Sequence, residues 1–425
     1  MHRRLTRLVL QLSVFWGCGV FTAAATANTC EWAVLQQLGW QHSAVSKQAE
    51  ARSSDVNSVA VCQAHSIEDA QAQGLLQLSL LTGSPTERSE RLQAALMGQS
   101  SRCAWQMQVR QAVSAATRKL SANRGFRFTW VQSGWLSFSG GSEAQGWRAT
   151  KSFGRRYEPM WRNSLAFDAF VHGRSRTECG TGRQIAQLSM LRELFGDEGF
   201  DRMFSASELS IGTFVSLHDS DSILLGRHKG EQFADGSGRK TAAMGKQAWL
   251  GAPGFIEHVK PKSFVDDISN QAENFIIVDV SDAAQQHLQA ASGFGRINAD
   301  NERIWLWSQQ LTMVGERYFE RLLYEEDARL WQTLPAEQYR IAKRMQALLA
   351  QAQYRQFQVY VHPMGTKPLA YHIARLLDRN PRTPYKIELA LHNLPTEIYP
   401  RWVQFQLQQC REHTTVTPHN SVLKG

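Results

Sequence analysis

Thr177-Glu178-Cys179-Gly180-Thr181-Gly182-Arg183-Gln184-Ile185 is the stretch on which the fold turns. From here to Gly196, apolar residues recur at three- and four-residue steps, with Ile185, Leu188, Leu191 and Phe195 on one face. That spacing predicts an amphipathic helix with one buried side. Gly196 stands where a C-terminal cap belongs, and Thr177 or Ser175 is expected to cap the start. The helix therefore opens on a cysteine. A helix N-terminus carries partial positive charge and unpaired N–H groups, which favour a thiolate over a thiol. The thiolate is the nucleophilic form. Gly180, Thr181 and Gly182 are small enough to leave room for a substrate, and Glu178 puts a carboxylate beside the sulfur. A buried structural thiol is the alternative reading of Cys179.

Working outward, the texture of the chain changes twice. Residues 28–124 read as a helical, disulfide-stapled region rich in Gln, Ala and Leu, with helical spacing in Ala70 to Leu81 and Glu90 to Leu96 and with Thr86 as a cap for the second. Residues 125–312 read as a mixed core. Phe126 to Val131 and Trp135 to Phe138 alternate around Gln132-Ser133-Gly134, which predicts a β-hairpin. Phe200 to Phe204 predicts a short second helix, and Gly226 to Gly245 a polar loop. Gln247 to Leu250, Phe275 to Val280 and Ile304 to Leu311 read as strands. Residues 313–425 read as mainly helical, with one long helix over Ala336 to Gln353, another over Lys367 to Leu377, a short strand at Val359 to Val361 and a polar tail beyond Pro384.

The first residues read as an export signal, 1–27. Arg3, Arg4 and Arg7 make a basic start, Leu8 to Phe21 is mostly apolar, and Ala23 to Ala27 supplies small residues for cleavage. The apolar run is too short and interrupted for a spanning helix, so no membrane span is expected after cleavage. This predicts a periplasmic or secreted protein. Six cysteines agree with export: Cys18 leaves with the signal, and Cys30, Cys62, Cys103, Cys179 and Cys410 remain. An odd number in an oxidising compartment predicts two disulfides and one free thiol, Cys179, with the pairing of the other four open. The net charge of +9 falls to +6 without the signal arginines, and the charges are dispersed, so no nucleic-acid partner is expected.

Gly293-Phe294-Gly295 lacks the strand–glycine–helix setting of a dinucleotide site, and Gly238 to Lys246 has the wrong spacing for a phosphate loop. The histidines are scattered and no Cys-x-x-Cys occurs, so no zinc site is predicted. His362 and His372 read as surface or packing residues.

Phe167-Asp168-Ala169-Phe170-Val171-His172-Gly173-Arg174, followed by Glu178-Cys179-Gly180-Thr181, resembles the nucleophile region of the small bacterial spore-coat transglutaminases. Three further pieces fall in the same order. Arg156 to Trp161 resembles the family's upstream aromatic segment, and Phe200-Asp201-Arg202-Met203-Phe204 its short helix. Ala272-Glu273-Asn274-Phe275-Ile276-Ile277 resembles its Gly-Glu-Asn strand. The resemblance covers about Tyr157 to Val280. The cysteine-to-glutamate separation is longer here, which places an insertion between Gly226 and Asp267, and His287 lies near the family histidine but in Gln-Gln-His-Leu.

The resemblance implies an α+β fold with a papain-like cysteine-enzyme core, a nucleophile helix packed on an antiparallel sheet, flanked by helical N- and C-terminal regions. It implies a protein-glutamine γ-glutamyltransferase. Cys179 would be the nucleophile, Glu273 the base, Glu178 a helper and His287 an additional member. Its substrates would be proteins bearing glutamine and lysine, and no metal or organic cofactor is required. Trp161, Trp249, Phe255 and Phe275 are candidates to line an amine channel. Two other classes remain open. One is a papain-like amidase, deamidase or peptidase, with His287 or His258 near the thiol. The other is a non-catalytic envelope protein that kept the fold.

Overall fold

The computed structural model describes residues 30–38, 40–42, 49–51, 83–129, 137–138, 146–149, 157–212, 250–258, 272–290, 294–312, 315–379, 384–389 and 394–416. The expected helix over Ala70 to Leu81 and the loop over Gly226 to Gly245 lie outside these residues.

Helix α1 (Cys30–Gln37) and the antiparallel pair β1 (Trp40–His42) and β2 (Ala49–Ala51) come first. Two helices follow, α2 (Pro85–Met97) and α3 (Gln99–Ala122). Ser84, not Thr86, caps α2. Its Oγ accepts the Glu87 N–H at 3.3 Å while the Glu87 carboxylate accepts the Ser84 N–H at 2.7 Å. Pro85 in the first turn, with its preset φ, makes Ser84 the last extended residue.

The expected hairpin does not form. β3 (Phe126–Phe128) and β4 (Ser137–Phe138) are separated in space by β7 (Ser175–Thr177), which pairs in parallel with β3 and antiparallel with β4. A buried strand needs partners for its backbone groups on both sides, and β7 finds them there. Before β7 come the pair β5 (Trp147–Ala149) and β6 (Tyr157–Pro159) and helix α4 (Asn163–Val171). After it comes α5 (Cys179–Met203), broken at Gly196, where φ of 66° and ψ of 173° leave the helical region. That conformation favours glycine. The predicted cap and the short following helix are both there.

The larger sheet is five-stranded and antiparallel throughout. It uses β8 (Pro253–His258), β9 (Ala272–Val280), β10 (Phe357–Val361), β11 (Gly365–Pro368) and β12 (Tyr385–Leu389) in the order β11-β10-β9-β8-β12. Three of the five strands thus come from the region 313–425. The helices between and after them are α6 (Asp282–Ala290), α7 (Phe294–Ser308), a π-helical turn (Glu320–Tyr324), α8 (Ala328–Thr333), α9 (Ala336–Leu349), α10 (Ala352–Arg355), α11 (Leu369–Arg379) and α12 (Leu394–Val416).

Four expectations change here. Ile304 to Ser308 ends helix α7 instead of forming a strand, because Ile297, Asn301, Ile304 and Ser308 are buried at helical steps. The long helix stops at Leu349, and a separate turn, α10, follows. Of the expected strand Gln247 to Leu250, only Leu250 is among the described residues, and it lies in a turn. The polar tail is instead β12 and α12, whose Trp402 packs against Trp105 of α3 with ring centroids 5.0 Å apart. A disulfide between Cys30 and Cys410 ties α1 to α12.

Strand alternation divides the interior. Ile276 and Val278 join the core built from α3, α4 and α5, with Val113, Phe167 and Leu188. Phe275 and Ile277 join a second core with Ile373, Leu349 and Phe319. Each fully buried Leu, Ile or Phe contributes about 1.5–3 kcal/mol, so both faces of β9 hold it in register. The fold is α+β, with helices on both faces of an antiparallel sheet.

Candidate active site

Cys179 is the first residue of α5, and Glu178 is its N-cap. Glu178 Oε1 accepts from the Thr181 N–H and the Thr181 hydroxyl, each at 2.6 Å, and its other oxygen accepts the Gly180 N–H. Glu178 therefore does what was expected of Thr177 or Ser175, which are committed to β7. It also neutralises the positive end of the helix before the thiol can use it. Burial first, and the Glu178 charge second, push the Cys179 thiol up, the reverse of the sequence expectation. Hydrogen bonds to the sulfur oppose this, from the Asn274 main chain and side chain and from the Cys179 N–H. Asn274 Nδ2 lies 3.3 Å from Cys179 Sγ. Cys179 is half-buried and unbridged. Cys62 and the side chain of Cys103 fall outside the described residues, as does any second disulfide between them.

β9 brings two polar residues to this end of the sheet, one on each face. Asn274 shares the face of Ile276 and Val278, which is the α5 side. Glu273 shares the face of Phe275 and Ile277, which is the α11 side. Glu273 is buried, and its Oε2 accepts from His372 Nδ1 at 2.7 Å while Oε1 lies against the Arg375 guanidinium. Burial pushes His372 down to about 3, so the ring is neutral and Nδ1–H is the donor. Burial pushes Arg375 down to about 10, which leaves it charged at neutral pH. Glu273 is thus the counter-ion of a partly buried arginine.

Cys179 and Glu273 nevertheless line one cavity of about 700 Å³, together with His362, Met364, Tyr371 and Arg375. Its rim is charged. Arg317 pairs with Glu325 at 2.7 Å and with Glu320, and Asp378 accepts from the Phe319 and Glu320 N–H groups at 2.8 and 3.0 Å. Of the expected channel aromatics, Phe275 is core, Trp161 is exposed, and Trp249 lies outside the described residues. No family model, curated protein or solved structure matches this chain. Its chemistry has to be read from the cavity itself.

His287 is not part of the cavity. It sits on α6, beyond the far end of β9, and the seven steps from Glu273 to Val280 span roughly 23 Å of extended strand. His258 ends β8, with its backbone paired to Tyr385. The histidine that does line the cavity is His362, directly after β10. Its ring stacks on Phe126 with centroids 4.0 Å apart and presses on Gly182, where an added Cβ would lie 2.5 Å from His362 Cβ. His362, expected to be a surface or packing residue, thus lines the cavity, and nothing near it in the chain marks that role. The only sequence signal was Gly182, a second glycine in the first turns of the helix. Among the described residues no group of three His, Cys, Asp or Glu side chains is placed to hold a metal ion. Among the same residues no helix is long and apolar enough to cross a membrane.

Proposed function

We propose that the protein is an exported, cysteine-dependent acyltransferase with a papain-like core, acting as a protein-glutamine γ-glutamyltransferase. One observation carries the reading. A thiol on the first turn of a helix, with N–H donors converging on its sulfur, opens onto a cavity large enough for an amino-acid side chain. Cys179 attacks the glutamine carboxamide carbon. The carbonyl oxygen then carries negative charge beside Asn274 Nδ2 and the Cys179 N–H, donors of the kind that lower such a barrier. Ammonia leaves, a lysine amine displaces the thioester, and an isopeptide bond results. Resolution by water gives deamidation instead. The Cys30–Cys410 disulfide supports export to a periplasmic or secreted location.

The test is incorporation of a labelled primary amine into a glutamine-bearing protein. The wild-type protein is expected to incorporate it and Cys179→Ala is not. Ammonia release with no amine incorporated, over several donors, reassigns the protein as a deamidase.

A further inference from the structure

His362 lies 2 % exposed in the wall of the cavity that holds Cys179, and its Nε2 has no hydrogen-bond partner. A buried polar atom without a partner costs about 1–3 kcal/mol, so a histidine held this way calls for an explanation. Its surroundings fix the ring. It stacks on Phe126 and hydrogen-bonds the backbone of Arg127 on β3. It also occupies the space left by the missing Cβ of Gly182. Gly182 is three residues after Cys179 on the same helix, and residues at that spacing have Cβ positions about 5–6 Å apart. The imidazole and the thiol therefore lie against the same first turns of α5 and line one cavity.

The other candidate bases are engaged. Glu178 caps the helix, and Glu273 is held by His372 and Arg375. We infer that His362 Nε2 is the group that takes the Cys179 proton. The inference rests on the thioester reading above. In the first step the Sγ–H proton passes to Nε2 as sulfur bonds to the carboxamide carbon. Nε2 returns that proton to the departing nitrogen as the C–N bond breaks. In the second step Nε2 takes a proton from the attacking amine and gives it to the sulfur as the C–S bond breaks. Burial keeps the ring at about 4, so it is neutral and able to accept across the neutral range. The ionisable side chains that line the cavity with it are Cys179, Glu273, Tyr371 and Arg375, and also Glu316, Arg317, Glu320, Asp378 and Arg379.

The experiment is single-turnover acylation of Cys179 by a small p-nitrophenyl ester, read as a nitrophenol burst over a range of pH. Wild type, His362→Asn and Glu273→Gln are compared. With a neutral base in place, the wild-type rate should be flat from about pH 5 to about pH 8. His362→Asn should fall roughly 100-fold or more at neutral pH and drop about tenfold for each pH unit of acidification, since only preformed thiolate reacts. Glu273→Gln should keep the flat profile, and added imidazole should partly restore a His362→Ala variant. A flat profile in His362→Asn, or its loss in Glu273→Gln, overturns the assignment. If the variants do not fold, the wild-type profile decides alone: a rate rising tenfold per pH unit excludes a neutral base, and no burst at all excludes the nucleophile. A normal burst and flat profile with no amine incorporation in the earlier assay rejects the transferase reading while upholding His362 as the base.

Discussion

Glu178 sets two opposing properties of the reactive residue. Its carboxylate satisfies the first N–H groups of α5 and so holds the thiol at a defined place. The same negative charge, after burial, is the second cause that pushes the thiol up. Glu178→Gln separates the two effects. The charge near the sulfur disappears, the thiolate becomes less unfavourable, and the midpoint of iodoacetamide alkylation against pH should move to lower pH. The amide oxygen still accepts an N–H, so the expected stability cost is about 0.5–1 kcal/mol. An unchanged or raised midpoint would show that Glu178 does not govern the thiol. The presence of Cys179 in a first turn was legible from the apolar spacing behind it. The direction of its ionisation was not, because that depends on which side chain occupies the helix end.

At the scale of elements, the close approach of α5 to the end of β10 depends on Gly182. Glycine within a helix normally costs roughly 0.5–1 kcal/mol relative to alanine. Here an added methyl group would meet the His362 Cβ, Cγ and Cδ2 at 2.5, 2.7 and 3.0 Å. Overpacking of that kind costs typically about 1–3 kcal/mol, which outweighs the helical gain. Gly182→Ala should therefore destabilise the protein in urea titration by about 1–2 kcal/mol and lower the neutral-pH acylation rate by displacing the His362 ring. Stabilisation by Gly182→Ala would show that the contact is looser than described. Strands legible in the sequence were those with two buried faces, such as Phe275 to Val280, where a continuous apolar run is bounded by polar residues. The alternation at Phe126 to Phe138 was also legible, but not its partner. Pairing of β3 with β7 depends on a segment some fifty residues away, and local turn chemistry is silent about that.

On the scale of the whole molecule, the site is assembled from distant parts of the chain. The thiol comes from α5, its amide partner from β9, and the cavity's histidine and arginine from the strand end at His362 and from α11. The C-terminal segment completes the sheet and then returns to α1 through Cys30–Cys410. That role was hidden in the sequence by Pro400, which argues against a helix interior, and by the many polar residues around Trp402 and Phe405. Cys179 was legible from the helix it opens, whereas the expectation for Glu273 came from a resemblance confined to Tyr157 to Val280. His362 lies beyond that span, so the motif had no means of marking it. The proposed chemistry turns on Cys179 forming a thioester with a glutamine side chain. Its most direct measurement is peptide mass mapping after incubation with a glutamine-bearing peptide, no amine, and an acid quench. A hydroxylamine-labile adduct is expected on the Cys179 peptide, equal to the donor less one ammonia, and none in Cys179→Ala. An unmodified Cys179 peptide, or an adduct on any other residue, would contradict it.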